Sequence, residues 1–188
     1  MYAVAIALKE EKFTAVPELL QDFYYVSPHD SSPPMKPYTA YRKYLNSIDG
    51  TRNQRLKLRR HSLHADMLKQ RAEVSQYIDF EHVMQADFFL FIYSFLHSTD
   101  DYFDNWFPVT TLYATDRGAP FEVFARSQSS SYFKKMKVAL GIEDKAPLVE
   151  LCDKFSRRES HTPPGILGAL NLPALPQSKQ LQRNLEEL

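Results

Sequence analysis

His61, His64 and Asp66 place three candidate metal ligands within six residues of a basic stretch. Helix geometry decides how far that reading goes. At 100° per residue, His61 and His64 stand roughly 60° apart and share a side, whereas Asp66 lies roughly 160° from His64 and faces away. Lys57, one turn before His61, puts a positive charge on the histidine side, and no acid at matching spacing completes a ligand set. A second oxygen-rich group, Asp100, Asp101 and Asp104, precedes Trp106. Clustered carboxylates suit hard divalent cations, but a calcium loop also needs a glycine turn and a closing bidentate acid, and neither follows. Both clusters read as solvated or capping groups. No metal ligand is assigned.

Nucleophilic chemistry fares no better. Cys152 falls on an apolar stripe with Leu148, Leu151 and Phe155, which predicts a buried, unreactive thiol. Ser129, Ser130 and Ser131 form a polar run without the Gly-x-Ser-x-Gly elbow. The chain has no Walker A loop and no Gly-x-Gly-x-x-Gly fingerprint. His29-Asp30 is similar to the metal-binding dipeptide of the HD phosphohydrolases. That family needs an earlier histidine on a preceding helix, and here no histidine precedes His29, which sits in the Pro/Ser loop 27–37. No catalytic residue and no cofactor is assigned. A metal-dependent hydrolase built on His61, His64 and the 100–104 acids is the remotest alternative.

Charge patterning carries more. Residues 51–71 hold seven basic side chains (Arg52, Arg55, Lys57, Arg59, Arg60, Lys69, Arg71) against one acid, Asp66. Residues 72–116 then hold eight acids and no Lys or Arg, although the whole chain balances at 23 against 23. Several phosphates could be neutralised by such a run, with salt-dependent binding as the consequence. Arg52, Arg55, Arg59 and Arg60, extended by Lys134, Lys135 and Lys137, are therefore the candidate nucleic-acid contacts. Plotted on one continuous helix, however, Arg52, Arg59, Arg60 and Arg71 flank an apolar stripe instead of sharing an outward face. That placement favours pairing with acidic neighbours, in this chain or in a partner protein. Opposite poles steer association and set its orientation.

The C-terminal segment supplies the other partner signal. Ile166, Leu167, Leu170, Leu172 and Leu175 are aliphatics in a stretch whose prolines keep it from folding alone. Such a segment docks on its own body or folds against another protein. These five residues are the candidate partner contacts.

The elements that must position these groups read as mainly helical. Tyr2 to Tyr25 is helical, with Pro17 starting a second helix at Val16 or kinking one. Tyr38 to Ile48 forms a short helix. Thr51 caps a helix reaching about Ser75, with Leu56, Leu63, Met67 and Val74 on its apolar stripe. Tyr77 or Asp79 opens the central core helix, which runs to about Leu96 and is apolar on almost every side in its second half. Val109 to Phe124 predicts a β-hairpin around the turn Asp116–Gly118, the rival being a helix from Pro120. Ser127 to Leu140 is helical and stops at Gly141, a natural residue for a helix C-terminus. Pro147 begins an amphipathic helix.

Only five glycines and a single cysteine argue against an all-β fold, a disulfide framework and a Cys-based zinc site. The nine-residue apolar run 88–96 falls short of the roughly 20 residues needed to span a bilayer. Met1 to Leu8 lacks the basic flank of a secretory signal, as Lys9, Glu10 and Glu11 follow at once. The expectation is a mainly α (α+β) protein: a compact bundle of five to six helices over residues 1–158, one small β-hairpin near 109–125, and an extended Pro-containing tail over 159–188 with a short terminal helix. Function is read as a soluble, cytoplasmic, non-enzymatic accessory or adaptor subunit that binds protein partners, with nucleic-acid association as the alternative and no membrane contact.

Overall fold

A computed structural model describes residues 1–21, 23–24, 35–36, 38, 53–57, 62–73, 75–97, 106, 108–110, 113 and 121–157. The described residues are predominantly helical. The first helix, α1 (Tyr2–Lys9), buries Val4, Ala5 and Ala7 and then stops abruptly. Its end is a Schellman motif: Lys12 N donates to Ala7 O at 2.8 Å and Glu11 N to Leu8 O at 3.2 Å. Glu11 occupies the left-handed position of that motif, with φ of 50°. The chain restarts as α2 (Ala15–Leu19), with Pro17 in the first turn, where a missing N–H costs nothing. The predicted helix over 2–25 is thus two helices joined by a tight elbow. Beyond it, β1 (Phe23–Tyr24) and β2 (Met35–Lys36) form a two-residue antiparallel bridge, Phe23 opposite Lys36 and Tyr24 opposite Met35. Of the helix expected over 38–48, only Tyr38 lies within the described residues.

The basic stretch departs from its predicted form. A single turn, α3 (Asn53–Arg55), is followed two residues on by Lys57, whose φ of 51° is incompatible with a continuing helix. A separate helix, α4 (Leu63–Glu73), begins after Ser62, whose hydroxyl accepts a 3.1 Å hydrogen bond from Ala65 N as an N-cap does. The expected continuous helix from 51 to 75 is therefore corrected to two pieces, and a helical wheel drawn through both does not apply. The expected stripe is corrected with it. Ala65, Leu68 and Ala72 form the buried face of α4, while Leu56 is 48% exposed.

The central helix, α5 (Phe80–Leu96), conforms closely to expectation. Asp79 caps it reciprocally with His82: Asp79 Oδ1 accepts from His82 N at 3.0 Å, and Asp79 N donates to His82 Nδ1 at 3.4 Å. Val83, Met84, the run Ala86–Ile92 and Ser94 are all buried. A helix sequestered on nearly every side must be wrapped, and α1, α4, α6 (Glu122–Ala125) and α8 (Ala146–Arg157) all pack on it. Phe88 stacks on Phe121 with ring centroids 3.7 Å apart, and Phe13 meets Tyr132 edge-on at 5.6 Å.

The described part of the predicted hairpin is not extended. Val109 and Thr110 lie in a 3-10 turn, and Glu122–Ala125 is helical, as the rival reading from Pro120 supposed. The remainder of that hairpin falls outside the described residues. A 3-10 turn over Arg126–Gln128 leads into α7 (Ser130–Leu140), which packs against α2 and stops at Gly141 with φ of 65°. Ile142 N donates to Lys137 O and Gly141 N to Val138 O, a second Schellman motif. His97 Nε2 donates to Leu140 O at 2.7 Å, so the ring closes this helix end from the outside. The last helix, α8, buries Leu148 and Leu151 as its periodicity requires. No helix among the described residues is long and apolar enough to cross a membrane.

Candidate functional site

Three polar arrangements stand out, and each assembles residues far apart in the chain. The first is buried. Asp87 is the only charged residue between Val83 and Leu96, and its side chain is fully sequestered. Trp106 Nε1 donates to Oδ1 at 2.7 Å; Thr110 N and Thr110 Oγ1 donate to Oδ2 at 2.8 and 2.7 Å. Burial raises the carboxyl above the usual aspartate range, and the three donors oppose that rise. Trp106 N also donates to Ser94 Oγ at 3.0 Å, so α5 holds Trp106 and Thr110 from two points on one face, two turns apart. With no opening to solvent at this carboxylate, its role is to fasten that segment to the core.

The second is an open groove of about 590 Å³ where the ends of α1 and α4 meet the start of α5. Its wall includes Lys9, Lys69, Glu73, Tyr77, Asp79 and Glu81. Tyr77 is 73% exposed there. Lys9 Nζ donates to Tyr77 O at 2.5 Å, and Tyr77 N donates to Ser75 Oγ at 3.2 Å, so the backbone that presents the ring is held through both its N–H and its C=O. Lys69 lies over the Tyr113 ring, 5.0 Å from its centroid, and Tyr113 donates to Asp66. Asp66 is thereby engaged with an aromatic hydroxyl.

The third is a charge clamp at the α1–α2 elbow. Arg126 Nη2 donates to Glu11 Oε1 at 2.5 Å, and Lys135 Nζ donates to Glu11 Oε2 at 3.1 Å. These two cations hold the Glu11 carboxyl below the usual glutamate range. Arg126 also reaches Glu122 at 3.4 Å and lies 4.1 Å from the centroid of the Tyr132 ring. Burial pushes the Tyr132 phenol up to about 12, with the Arg126 charge pulling the other way, so it stays protonated near neutrality and offers no base. Around the clamp is an open pocket of about 490 Å³ lined also by Gln128, Ser129 and Ser131.

Among the residues proposed from sequence, Arg55, Lys134 and Lys135 are exposed. Lys135 spends its charge on Glu11, and Lys137 Nζ donates to Glu143 O at 2.8 Å. Arg52, Arg59, Arg60 and His61 lie outside the described residues, as do Ile166, Leu167, Leu170, Leu172 and Leu175. Among the described residues no group of three or more His, Cys, Asp or Glu side chains is arranged to hold a metal ion. Sequence reasoning missed Tyr77, Glu11 and Arg126 as surface features, and treated Asp87 only as one acid of a long stretch. A lone charge inside an apolar helix was the available signal for Asp87. No local signal marks the other three.

No protein-family model, no curated protein and no solved structure matches this chain.

Proposed function

We propose that this chain is a non-enzymatic accessory or adaptor subunit that works by binding a protein partner. The observation that carries the proposal is Tyr77, a large aromatic 73% exposed at the mouth of the groove between α1, α4 and α5. Tyrosine is among the residue types that anchor protein interfaces, because its ring covers much area with few rotatable bonds while the hydroxyl stays wet. Here the ring sits on a fastened loop, so little freedom is lost on binding. Exposed Glu73, Asp79 and Glu81 surround it and continue the acidic character of residues 72–116. Such a rim favours a partner with a basic border and disfavours polyanions.

The proposed site thus lies on the acidic side of the charge boundary, with the aliphatics of the tail (Ile166, Leu167, Leu170, Leu172, Leu175) as a second contact on the same partner. Cytoplasmic residence and the small bundle architecture belong to the same reading.

Co-purification with the full chain tests it. A partner recovered in fixed stoichiometry should be lost with Tyr77→Ala and with removal of residues 162–188, while each variant keeps a cooperative urea transition. Binding untouched by both changes would refute the assignment. Exposed Arg55 and Lys134 support the nucleic-acid alternative. Retention on a nucleic-acid column that falls steeply with salt and depends on those residues would favour it instead.

A further inference from the structure

Glu11 occupies a backbone position that belongs to glycine. At the C-terminal Schellman position φ must be positive, a conformation in which an L-residue with a side chain is strained. The equivalent position after α7 carries Gly141. What Glu11 provides in exchange is a carboxylate bridging Arg126 and Lys135. Strain kept at a surface site points to a use for the side chain.

We propose that the Arg126–Lys135 pocket receives a phosphoryl group carried by a protein partner, with Glu11 as its resident competitor. The adaptor reading enters only in choosing a protein as the carrier. Glu11 demonstrates that the two cations can grip one two-oxygen anion together. The Arg126 guanidinium lies over the Tyr132 ring, 4.1 Å from its centroid, which restricts the directions its donors take. The pocket is wide enough for a larger group, and the Ser129 and Ser131 hydroxyls, 2.9 Å apart, line it beyond the clamp.

Competition with Glu11 selects the ligand. An incoming carboxylate offers the same two oxygens and the same single charge, and must displace a group already tethered at high effective concentration. A phosphodiester of a nucleic-acid backbone likewise carries one charge and two free oxygens. A phosphoserine or phosphothreonine carries between one and two charges near neutrality and three oxygens. Its third oxygen reaches the serine hydroxyls while the other two replace Glu11 on Arg126 and Lys135. A monoester alone gains over the resident group.

The test titrates the full chain with four probes: a pentapeptide of phosphoserine flanked by alanines, its glutamate counterpart, a thymidine oligonucleotide, and inorganic phosphate. Amide shifts of Ser129, Ser131 and Lys135 report occupancy. The phosphopeptide should saturate these shifts, and the glutamate peptide should not. Glu11→Gln should tighten phosphopeptide binding about tenfold, since its competitor is neutralised. Lys135→Ala, at a side chain 62% exposed, should weaken it at least about tenfold without unfolding the protein. Arg126→Ala should do the same, and Lys135→Ala stands alone if that variant fails to fold. No saturable shift with the phosphopeptide in wild type and Glu11→Gln, or unchanged affinity in Glu11→Gln, overturns the proposal. So does a preference for the oligonucleotide. Inorganic phosphate binding as tightly as the phosphopeptide overturns the protein-borne source. Partner capture that survives while the phosphopeptide fails to bind refutes this pocket and leaves the adaptor reading standing.

Discussion

Asp87 and Glu11 are both carboxylates gripped by donors from distant segments, in opposite surroundings. Asp87 lies in the centre of α5, sequestered from water, and accepts from an indole, a backbone amide and a hydroxyl. Glu11 lies on the surface elbow between α1 and α2 and accepts from two cations on or near α7. Burial moves the first carboxyl up in pKa; the cations move the second down. The difference separates two uses of one functional group. In the core, removal of the acceptor strands three donors that have no water to turn to. At the surface, water stands ready to replace it. The core carboxylate is therefore bound up with folding. The surface one is free to serve recognition.

The largest expected effect follows directly. Asp87→Ala leaves the Trp106 indole N–H and the Thr110 amide without acceptors and opens a cavity beside them, which should cost about 3–5 kcal/mol. Urea denaturation measures it. A loss below about 1 kcal/mol would show that the 106–110 segment finds other partners and would dissolve the contrast.

The elbows after α1 and α7 share one backbone motif but carry different residues, Glu11 and Gly141. A Cβ built on Gly141 would stand 3.0 Å from His97 Cε1 and 3.1 Å from His97 Nε2. Gly141→Ala thus combines a left-handed backbone penalty with displacement of the ring that caps Leu140 O, for about 2–3 kcal/mol. The melting temperature should fall by roughly 5–10 °C. The α1 elbow carries a side chain at the same position under the backbone penalty alone, so the excess cost at Gly141 belongs to His97.

Proton linkage gives a third test with opposite signs at the two sites. Glu11 has a lowered folded pKa, so the unfolded chain binds a proton first. Its contribution is present above the ordinary glutamate range and is lost as pH falls through the folded value. Asp87 has a raised folded pKa, so the folded state binds the proton first. Stability from this group falls as pH rises from the ordinary aspartate value through the raised one. Urea midpoints between about pH 7 and pH 3 should therefore lose part of their acid-side decline in Glu11→Gln. In Asp87→Asn the decline should steepen, because the opposing group is gone. Parallel shifts in both variants would contradict the assignment of the two environments.

The fold was legible where local signals agreed with packing. The Asp79 cap, the apolar density of α5, the i, i+3 spacing of Leu148 and Leu151, and Gly141 as a stop all have their causes within a few residues. The breaks at Glu11 and Lys57 do not. Neither sits near a glycine, and Pro17 and Ser62 hint only that a new helix starts downstream. At Glu11 the flanking helices pack on different partners, α1 on α5 and α2 on α7. A stripe drawn through Leu56 failed because the backbone turns left-handed at Lys57. The clamp was half visible. Lys135 was singled out for its charge, but its partner lies 124 residues earlier, and pairing at that range is set by the packing of α2 on α7. Tyr77 carries no mark in the sequence, since exposure of one aromatic among many is decided by the whole surface.

The smallest expected effect is the most telling for the surface carboxylate. Glu11→Gly relieves the backbone strain at φ of 50° while deleting both ion pairs. Exposed pairs are screened by water and salt, and the glycine gains conformational ease in the folded state but loses more entropy on folding. These contributions oppose one another, so the melting temperature should move by less than about 3 °C in either direction. A calorimetric scan at low and at moderate salt measures it, with the low-salt value slightly the lower of the two relative to wild type. Near-neutrality would mean that the glutamate is not retained at a glycine position for stability, which leaves the recognition of an anion at Arg126 and Lys135 as the use that accounts for it. A fall as large as that of Gly141→Ala would place Glu11 with Asp87 among the groups that hold the fold, and would remove the ground for treating the clamp as a binding pocket.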